Sequence, residues 1–419
     1  MQHYDLVIIG GGPAGLAAAI EAHKQGITNS IIIERDRELG GILNQCIHSG
    51  FGLQEFKEEL TGPEYARRFI DDVKALGIPY LLNTMVVELN EKKQILAMNQ
   101  EGVLEIQARA VILAMGCRER SAGAVAMGGT RPAGILTAGT AQRLINMEGL
   151  MVGKEIVIYG SGDIGLIMAR RLTLEGAHVA CVVEIEPHSS GLARNVAQCL
   201  DDYDIPLLLQ HNIHAVHGHD RVTGVTLCQV DEHRQEIPGT EQDIPCDTLL
   251  LSIGLIPENE LSGQAHIPLH PKTRGPLVTS HLETTQEGIF ACGNVLHVHD
   301  IVDYVTRESR EAGRNAAHYL LDGAFAHTTL ETKAGDGIAY VLPSTIDTED
   351  TTGASLSFRP TKKFTQAELV LSSGDTVLAR FPRRVLVPSQ MGNLPVKPSL
   401  LAMAEGTLTL SVCEKEVKA

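Results

Sequence analysis

One plan occurs twice in this chain, and it fixes most of what the chain can fold into. The first copy runs from the apolar stretch 5–9 into Gly10-Gly11-Gly12-Pro13-Ala14-Gly15, continues to Gln25, stops at Gly26, and resumes as 30–33 ending on Glu34. The second runs from 155–159 through Gly160-Ser161-Gly162-Asp163-Ile164-Gly165, stops at Gly176, and resumes as 178–183 ending on Glu184. A short apolar run, a GxGxxG turn and a stretch closed by glycine predict strand, turn and helix. In both copies the acid stands 24 residues after the first glycine. Two glycine turns that merely pack would leave those matching acids unexplained.

Each glycine has a physical task. Gly10 and Gly160 permit the tight turn, Gly12 and Gly162 let backbone approach a pyrophosphate, and Gly15 and Gly165 let helix pack on strand. The helix N-terminus offers free N–H groups and partial positive charge to phosphates. Glu34 and Glu184 are then placed to accept ribose hydroxyls, so the double pattern predicts two dinucleotide sites. Both copies close with another apolar strand ending on glycine, Ala110 to Gly116 and Thr248 to Gly254. The repeat is a whole domain, not a motif.

Composition narrows the class. At 419 residues, two or three domains are expected at roughly 100–200 residues each. Hydrophobic residues at 43% and charged residues at 21% give ordinary globular composition and exclude wholesale disorder. A net charge of −16 repels phosphate backbones and argues against a nucleic-acid partner. No apolar run approaches the roughly 18 residues that span a bilayer, so no transmembrane segment is expected. Met1 to Asp5 lead directly into an apolar strand, which predicts no signal peptide and a cytoplasmic protein. Of the eight cysteines, no two lie closer than 18 residues apart. That spacing excludes the usual zinc, iron–sulfur and vicinal dithiol motifs.

On these residues the chain resembles the two-dinucleotide-binding-domain flavoproteins, the pyridine nucleotide–disulfide reductase superfamily, over residues 1 to about 330. Gly10 to Gly15 resembles the FAD fingerprint and Gly160 to Gly165 the NAD(P) one. Thr284 to Asn294 resembles the late FAD motif, with Asn294 where an acid usually binds the ribityl chain. The resemblance implies an α/β fold with two Rossmann-like domains. The FAD domain would be discontinuous, 1–120 and 262–330, with the NAD domain 121–261 inserted. It places FAD on Gly10, Gly12, Pro13, Ala14, Gly15, Glu34, Arg35, Gly41, Ile42, Ala114, Gly116, Gly293, Asn294 and Asp303. It places NAD on Gly160, Gly162, Asp163, Ile164, Gly165, Glu184 and Gly254. A helix beginning near Asp300 or Asp303 would point its N-terminus at the flavin. No Arg follows Glu184 to meet a 2′-phosphate, which favours NAD(H) over NADP(H).

The departures are informative. The superfamily's redox cysteine pair is missing: the stretch Gly40 to Gly52 has only Cys46, and Arg131 to Thr140 has none. Those two stretches resemble the FAD/NAD-linked subunits of multi-subunit dehydrogenases, a group with opine oxidases, hydrogen cyanide synthase and reductases accompanying anaerobic glycerol-3-phosphate dehydrogenases. The resemblance implies hydride exchange between NAD(H) and flavin, and electron exchange with a partner dehydrogenase of glycerol-3-phosphate or amino-acid/opine type. Two alternatives stay open: a stand-alone NADH oxidase or small-acceptor reductase, and a non-catalytic FAD-binding assembly subunit. Flavin-adjacent candidates are Asn44, Gln45, Cys46 and His48, on the loop leaving the first acid, and His297 and His299, before the flavin helix. Cys46 as a peroxidatic thiol is the sharp possibility, loop packing the bland one.

His211, His214, His217 and His219 fall on what reads as two strands and a turn at Gly218, as exposed hairpin side chains, and no metal is expected. Beyond about Lys333 the texture turns to Thr, Ser and Pro with short strand-like runs, which predicts a small β-sandwich over 335–419. Lys and Arg balance Asp and Glu there at nine each. Arg380, Arg383, Arg384, Lys362 and Lys363 could form a docking face for an acidic partner.

Overall fold

The computed structural model describes residues 1–125, 127–325, 329–349 and 353–414. Ala126, the ends of the expected 262–330 and 335–419 segments (326–328 and 415–419) and residues 350–352 lie outside the described residues. The chain divides into two units: Met1–Asn44, Ser49–Cys117 and Pro257–Ala419 form one, Gln45–His48 and Arg118–Ile256 the other.

In the first unit the central sheet runs in the order Tyr80–Leu81, Ser30–Ile33, Gln2–Ile9, Gly102–Leu113, Gln94–Asn99, Met85–Leu89, with Ile289–Ala291 also against Gly102–Leu113. Ser30–Ile33, Gln2–Ile9, Ile289–Ala291 and the C-terminal half of Gly102–Leu113 are parallel. Their side chains are buried on both faces, as a helix-covered parallel sheet requires. The strand Gly102–Leu113 joins the two parts of this sheet. Its last four residues are all buried in the parallel part, while its exposed beginning pairs antiparallel with Gln94–Asn99.

Helix Pro13–Lys24, apolar and mostly alanine along its buried face, crosses helix Val302–Asp322 at Gly313. A Cβ there would come within 2.3 Å of the Ala18 carbonyl oxygen, so only glycine lets these helices pack that closely. The crossing holds the start of the long helix beside the first glycine turn.

The second unit has three layers. Its parallel sheet runs Ile135–Thr137, Thr248–Leu251, Glu155–Tyr159, His178–Glu184, Leu207–Leu209. Strand alternation sends Ile156, Ile158, Val182 and Leu250 into one core, with helix residues Leu166, Met168 and Leu172. It sends Val157, Tyr159, Val183, Leu249 and Leu251 into another, against Ile213, Val216, Val225 and Leu227 of the antiparallel sheet. That sheet contains the expected hairpin, His211–Gly218 with Val222–Gln229.

The C-terminal segment is a β-sandwich belonging to the first unit. Five strands (Thr345–Asp347, Thr329–Ala334, Leu408–Glu414, Phe364–Ser373, Thr376–Leu386) face three (Ile338–Leu342, Ala354–Pro360, Gly392–Val396). Between them lies a core that includes Ile346, Phe358, Leu369 and Leu394. Thr329–Ala334 pairs within this sheet, so the sandwich begins before residue 335. Val385 lies within the single long strand Thr376–Leu386. The run 392–396 is hard to see in the sequence because Gly392, Asn393 and Pro395 dilute its two buried residues, Leu394 and Val396. No described helix is long and apolar enough to cross a membrane.

Candidate functional site

The first glycine turn is built around bare backbone. Gly10 adopts φ +111°, and a Cβ on it would meet the Ala114 carbonyl oxygen at 2.4 Å. A Cβ on Gly15 would lie 1.8 Å from the Gly10 oxygen. Gly12 differs: its Cβ would meet only the Gly41 Cα, at 3.8 Å. Gly12 caps helix Pro13–Lys24 without a side-chain hydrogen bond and Pro13 follows in the first turn. The result is an open, side-chain-free approach to a helix N-terminus, walled by Gly41, which suits an anion. Buried Glu34 stands beside it. Its Oε2 accepts from the Gly11 N–H at 2.6 Å and its Oε1 from the Asp36 N–H at 2.7 Å.

The second turn repeats this geometry. Gly160 has φ +98°, and a Cβ would lie 2.1 Å from the Ser252 oxygen. Glu184 Oε2 accepts from the Ser161 N–H at 3.0 Å and Oε1 from the Glu186 N–H at 3.1 Å. Serines are added here. The Ser161 and Ser190 hydroxyls donate to Glu184 Oε2 at 2.5 and 3.1 Å, and Ser252 Oγ accepts from the Gly165 N–H at 3.1 Å. Asp163 Oδ1 accepts from the Leu192 N–H at 2.8 Å and Asn195 Nδ2 at 2.7 Å, which ties the loop after Glu184 to the turn. Ile164 packs at the edge of the helical core. Gly254, at φ +103°, accepts from the Arg120 N–H at 3.0 Å. Motif spacing cannot disclose these serines, since Ser252 lies 87 residues from Gly165.

Around the first turn, Ala114 is buried and Gly116 accepts from the Glu258 N–H at 3.0 Å. Arg35 and Ile42 are exposed. Gly293 sits against Ala14, where a Cβ would lie 2.8 Å from the alanine Cβ. The amide of Asn294 is spent locally: Oδ1 accepts from the His299 N–H at 3.0 Å and pairs with its Nδ1 at 3.2 Å, and Nδ2 donates to Cys117 Sγ at 3.7 Å. Asp303 accepts from the N–H groups of Gly52, Gln54 and Glu55 at 3.3, 3.0 and 2.7 Å. Its carboxylate therefore fixes the 52–55 loop.

The loop candidates divide. Asn44 stays in the first unit, donating to the Leu39 carbonyl at 3.0 Å. Gln45, Cys46 and His48 belong to the second. Gln45 Nε2 donates to the Gly139 carbonyl at 2.9 Å and Gln142 Oε1 at 3.0 Å, and the Cys46 thiol donates to the same Gln142 oxygen at 3.7 Å. Burial pushes that thiol up to about 12, the opposite of an activated nucleophile. Burial, with Arg194 and Arg170 nearby, pushes His48 down.

His297 and His299 meet at Glu308, a partner to which no motif points. Their Nε2 atoms lie 2.8 and 3.3 Å from its Oε2, while its Oε1 accepts from the Gly293 N–H at 2.7 Å. The sandwich grips the same segment: Arg359 donates to Asp300 at 2.7 Å and to the Val298 carbonyl at 3.3 Å.

With both turns described, comparison with known proteins becomes specific. The family model for the pyridine nucleotide-disulphide oxidoreductases matches residues 4–317. The chain belongs to that family. An opine oxidase subunit of Agrobacterium tumefaciens (strain Ach5) is 28% identical over 70% of this chain, and the chain spans 61% of its length. Hydrogen cyanide synthase subunit HcnB of Pseudomonas protegens is 28% identical over 62% of the chain and 58% of its own. The crystal structure of T. acidophilum thioredoxin reductase shares the fold at TM-score 0.62 and 21% identity, covering 76% of this chain and 98% of that one.

As a family member, the protein is an FAD-dependent, NAD(P)-linked oxidoreductase. The residues fit both cofactors. Each turn offers a backbone cradle in which added Cβ atoms would collide, and each sets a buried carboxylate where a ribose would lie. FAD supplies the hydride chemistry; the chain supplies placement and charge.

Proposed function

We propose that the protein exchanges hydride with NAD(H) and passes electrons between its flavin and a partner dehydrogenase, without a redox disulfide. The observation that carries this reading is the spacing of the cysteines: no two of the eight lie closer than 18 residues in the sequence. Desolvation pushes the Cys46 thiol, on the loop after the first acid, up to about 12. Both favour a flavin that works without a disulfide relay of the thioredoxin-reductase kind. The opine oxidase and hydrogen cyanide synthase relatives are by name subunits of larger enzymes, which favours a partner protein as the electron acceptor or donor. Oxidation of amino-acid, opine or glycerol-3-phosphate-type substrates would occur in that partner.

NAD is favoured over NADP. Buried Glu184 occupies the ribose position with Glu186 two residues on, and Arg234 there pairs with Glu186 at 2.6 Å. A 2′-phosphate would meet the Glu184 carboxylate, and Arg234 is engaged by Glu186. In this reading Glu34 and Glu184 orient the two adenosines, the two helix N-termini hold the diphosphates, and Asp303 holds the 52–55 loop in place.

Anaerobic titration of the purified flavoprotein with NADH, and separately with NADPH, tests the reading. NADH alone should bleach the visible flavin band, and turnover with oxygen should stay slow until a co-expressed partner is added. Bleaching by NADPH alone would reverse the cofactor assignment. Fast partner-free turnover would favour a stand-alone oxidase.

A further inference from the structure

We propose that His297, His299 and Glu308 form a buried site for one divalent transition-metal ion of the zinc class. Hydrogen-bond bookkeeping leads there. The His299 backbone N–H, which can only donate, points at Asn294 Oδ1 at 3.0 Å, so that atom is the amide oxygen. The same oxygen lies 3.2 Å from His299 Nδ1, which must therefore carry the proton. In a neutral imidazole the other nitrogen is then a bare acceptor. That atom, Nε2, faces Glu308 Oε2 at 3.3 Å. Two such atoms at that distance, on side chains 1% and 14% exposed, need a cation between them, and with His297 converging on the same carboxylate oxygen that cation is assigned as a metal ion rather than a second proton on the imidazole.

The third donor is in place. His297 Nε2 lies 2.8 Å from the same carboxylate oxygen, and the three ligand atoms all fall within 4.8 Å of one another. Zinc–ligand bonds of about 2.0–2.1 Å in a tetrahedron separate neighbouring donors by about 3.3 Å. The His299–Glu308 contact already has that length, and the His297–Glu308 contact opens by about 0.5 Å on loading. Two of the three ligands have outer partners: Asn294 orients His299, and the Gly293 N–H donates at 2.7 Å to the other Glu308 oxygen, while His297 Nδ1 is buried without a hydrogen-bond partner among the described residues. Two imidazoles with one carboxylate select zinc, iron(II) or nickel over calcium or magnesium.

The ion would be structural. It would tie the segment Gly293 to His299 to helix Val302–Asp322, and the Arg359–Asp300 pair at 2.7 Å would secure the segment's far end. This inference stands apart from the electron-transfer reading.

The test is elemental analysis of the tag-free, flavin-loaded full chain, as purified and after equilibration with zinc chloride followed by desalting. About one ion per chain is expected, with X-ray absorption showing two imidazoles and one oxygen donor at about 2.0–2.1 Å. Glu308→Gln and His299→Gln should each lose the ion while keeping the far-UV circular dichroism of the parent. Chelator stripping of the unaltered protein should lower its Tm and zinc should restore it, a readout that stands if a variant fails to fold. Fewer than about 0.1 ion per chain under both conditions would overturn the site, since a buried site with three protein ligands binds its ion tightly enough to keep it through desalting. So would metal that persists in the two variants, or nitrogen NMR showing His299 as an imidazolium paired with Glu308.

Discussion

The two glycine turns hold the same backbone but are held by different means. In the first, Glu34 meets only backbone N–H groups and the turn is closed by carbonyl contacts around Gly10 and Gly15. In the second, the same kind of carbonyl contact around Gly160 and Gly165 is supplemented by serine hydroxyls on Glu184 and Gly165. A carboxylate held by backbone has nothing to repack, whereas a hydroxyl network can lose a member and adjust. A cofactor that stays bound through turnover suits the first, and a nucleotide that must leave suits the second.

The largest effect should come from challenging closure directly. Gly15→Ala places a Cβ 1.8 Å from the Gly10 oxygen, while Gly165→Ala places one 2.7 Å from the Gly160 oxygen and from the Ser252 Cβ. Overpacking of this kind costs about 1–3 kcal/mol and more where backbone must move. Gly15→Ala should therefore yield a colourless protein with a lowered Tm. Gly165→Ala should remain yellow and lose reduction by NADH. If both variants stay yellow and reducible, the difference between the turns disappears.

Neutralising the acids is the next step down. Glu34→Gln and Glu184→Gln each remove a charged acceptor from two N–H groups, and hydrogen bonds to charged groups contribute about 1.5–3 kcal/mol. About 10- to 100-fold weaker binding follows, of FAD in the first variant and of NADH in the second. Equilibrium dialysis of FAD and flavin-bleaching titration read the two separately. Crossed effects, with Glu34→Gln weakening only NADH, would sink the assignment of the two sites.

What the sequence discloses and what it hides follow from how each feature is encoded. The turns are legible because strand, glycines, helix and acid lie within about 30 residues, and φ and spacing are local properties. The parallel strands are legible because burial on both faces leaves unbroken apolar runs such as 6–9 and 249–251. Ser252 and Glu308 are hidden because their partners come from other elements, brought together only by tertiary packing. The hydrogen-bond partners of the loop after Glu34 are hidden for a related reason. The loop does lead away from the first turn, but Gln45 and Cys46 find their hydrogen bonds on Gly139 and Gln142, nearly 100 residues onward.

Ser161 sharpens the comparison more gently. It stands where the first turn has Gly11, so Ser161→Gly converts the second turn into the pattern of the first. The backbone bond to Glu184 remains, the 2.5 Å hydroxyl bond goes, and Ser190 still donates at 3.1 Å. Loss of one such bond costs about 1 kcal/mol, or about fivefold in the affinity for NADH, with the flavin content unchanged. A loss as large as that of Glu184→Gln would mean that the hydroxyl, and not the carboxylate, organises the turn.

The smallest effect should be at Cys46. A thiol pushed up to about 12 by burial has roughly one part in ten thousand as thiolate at about pH 8, so alkylation there is slow. Exposed Cys413 supplies the contrast within the same molecule and should be modified first. Mass spectrometry of peptides after brief iodoacetamide treatment separates the two. Cys46→Ser keeps a donor of similar size for Gln142 and should leave NADH-driven bleaching within about twofold of the parent. Preferential alkylation of Cys46 would instead expose an activated thiol, and would return thiol chemistry to the loop that follows the first acid.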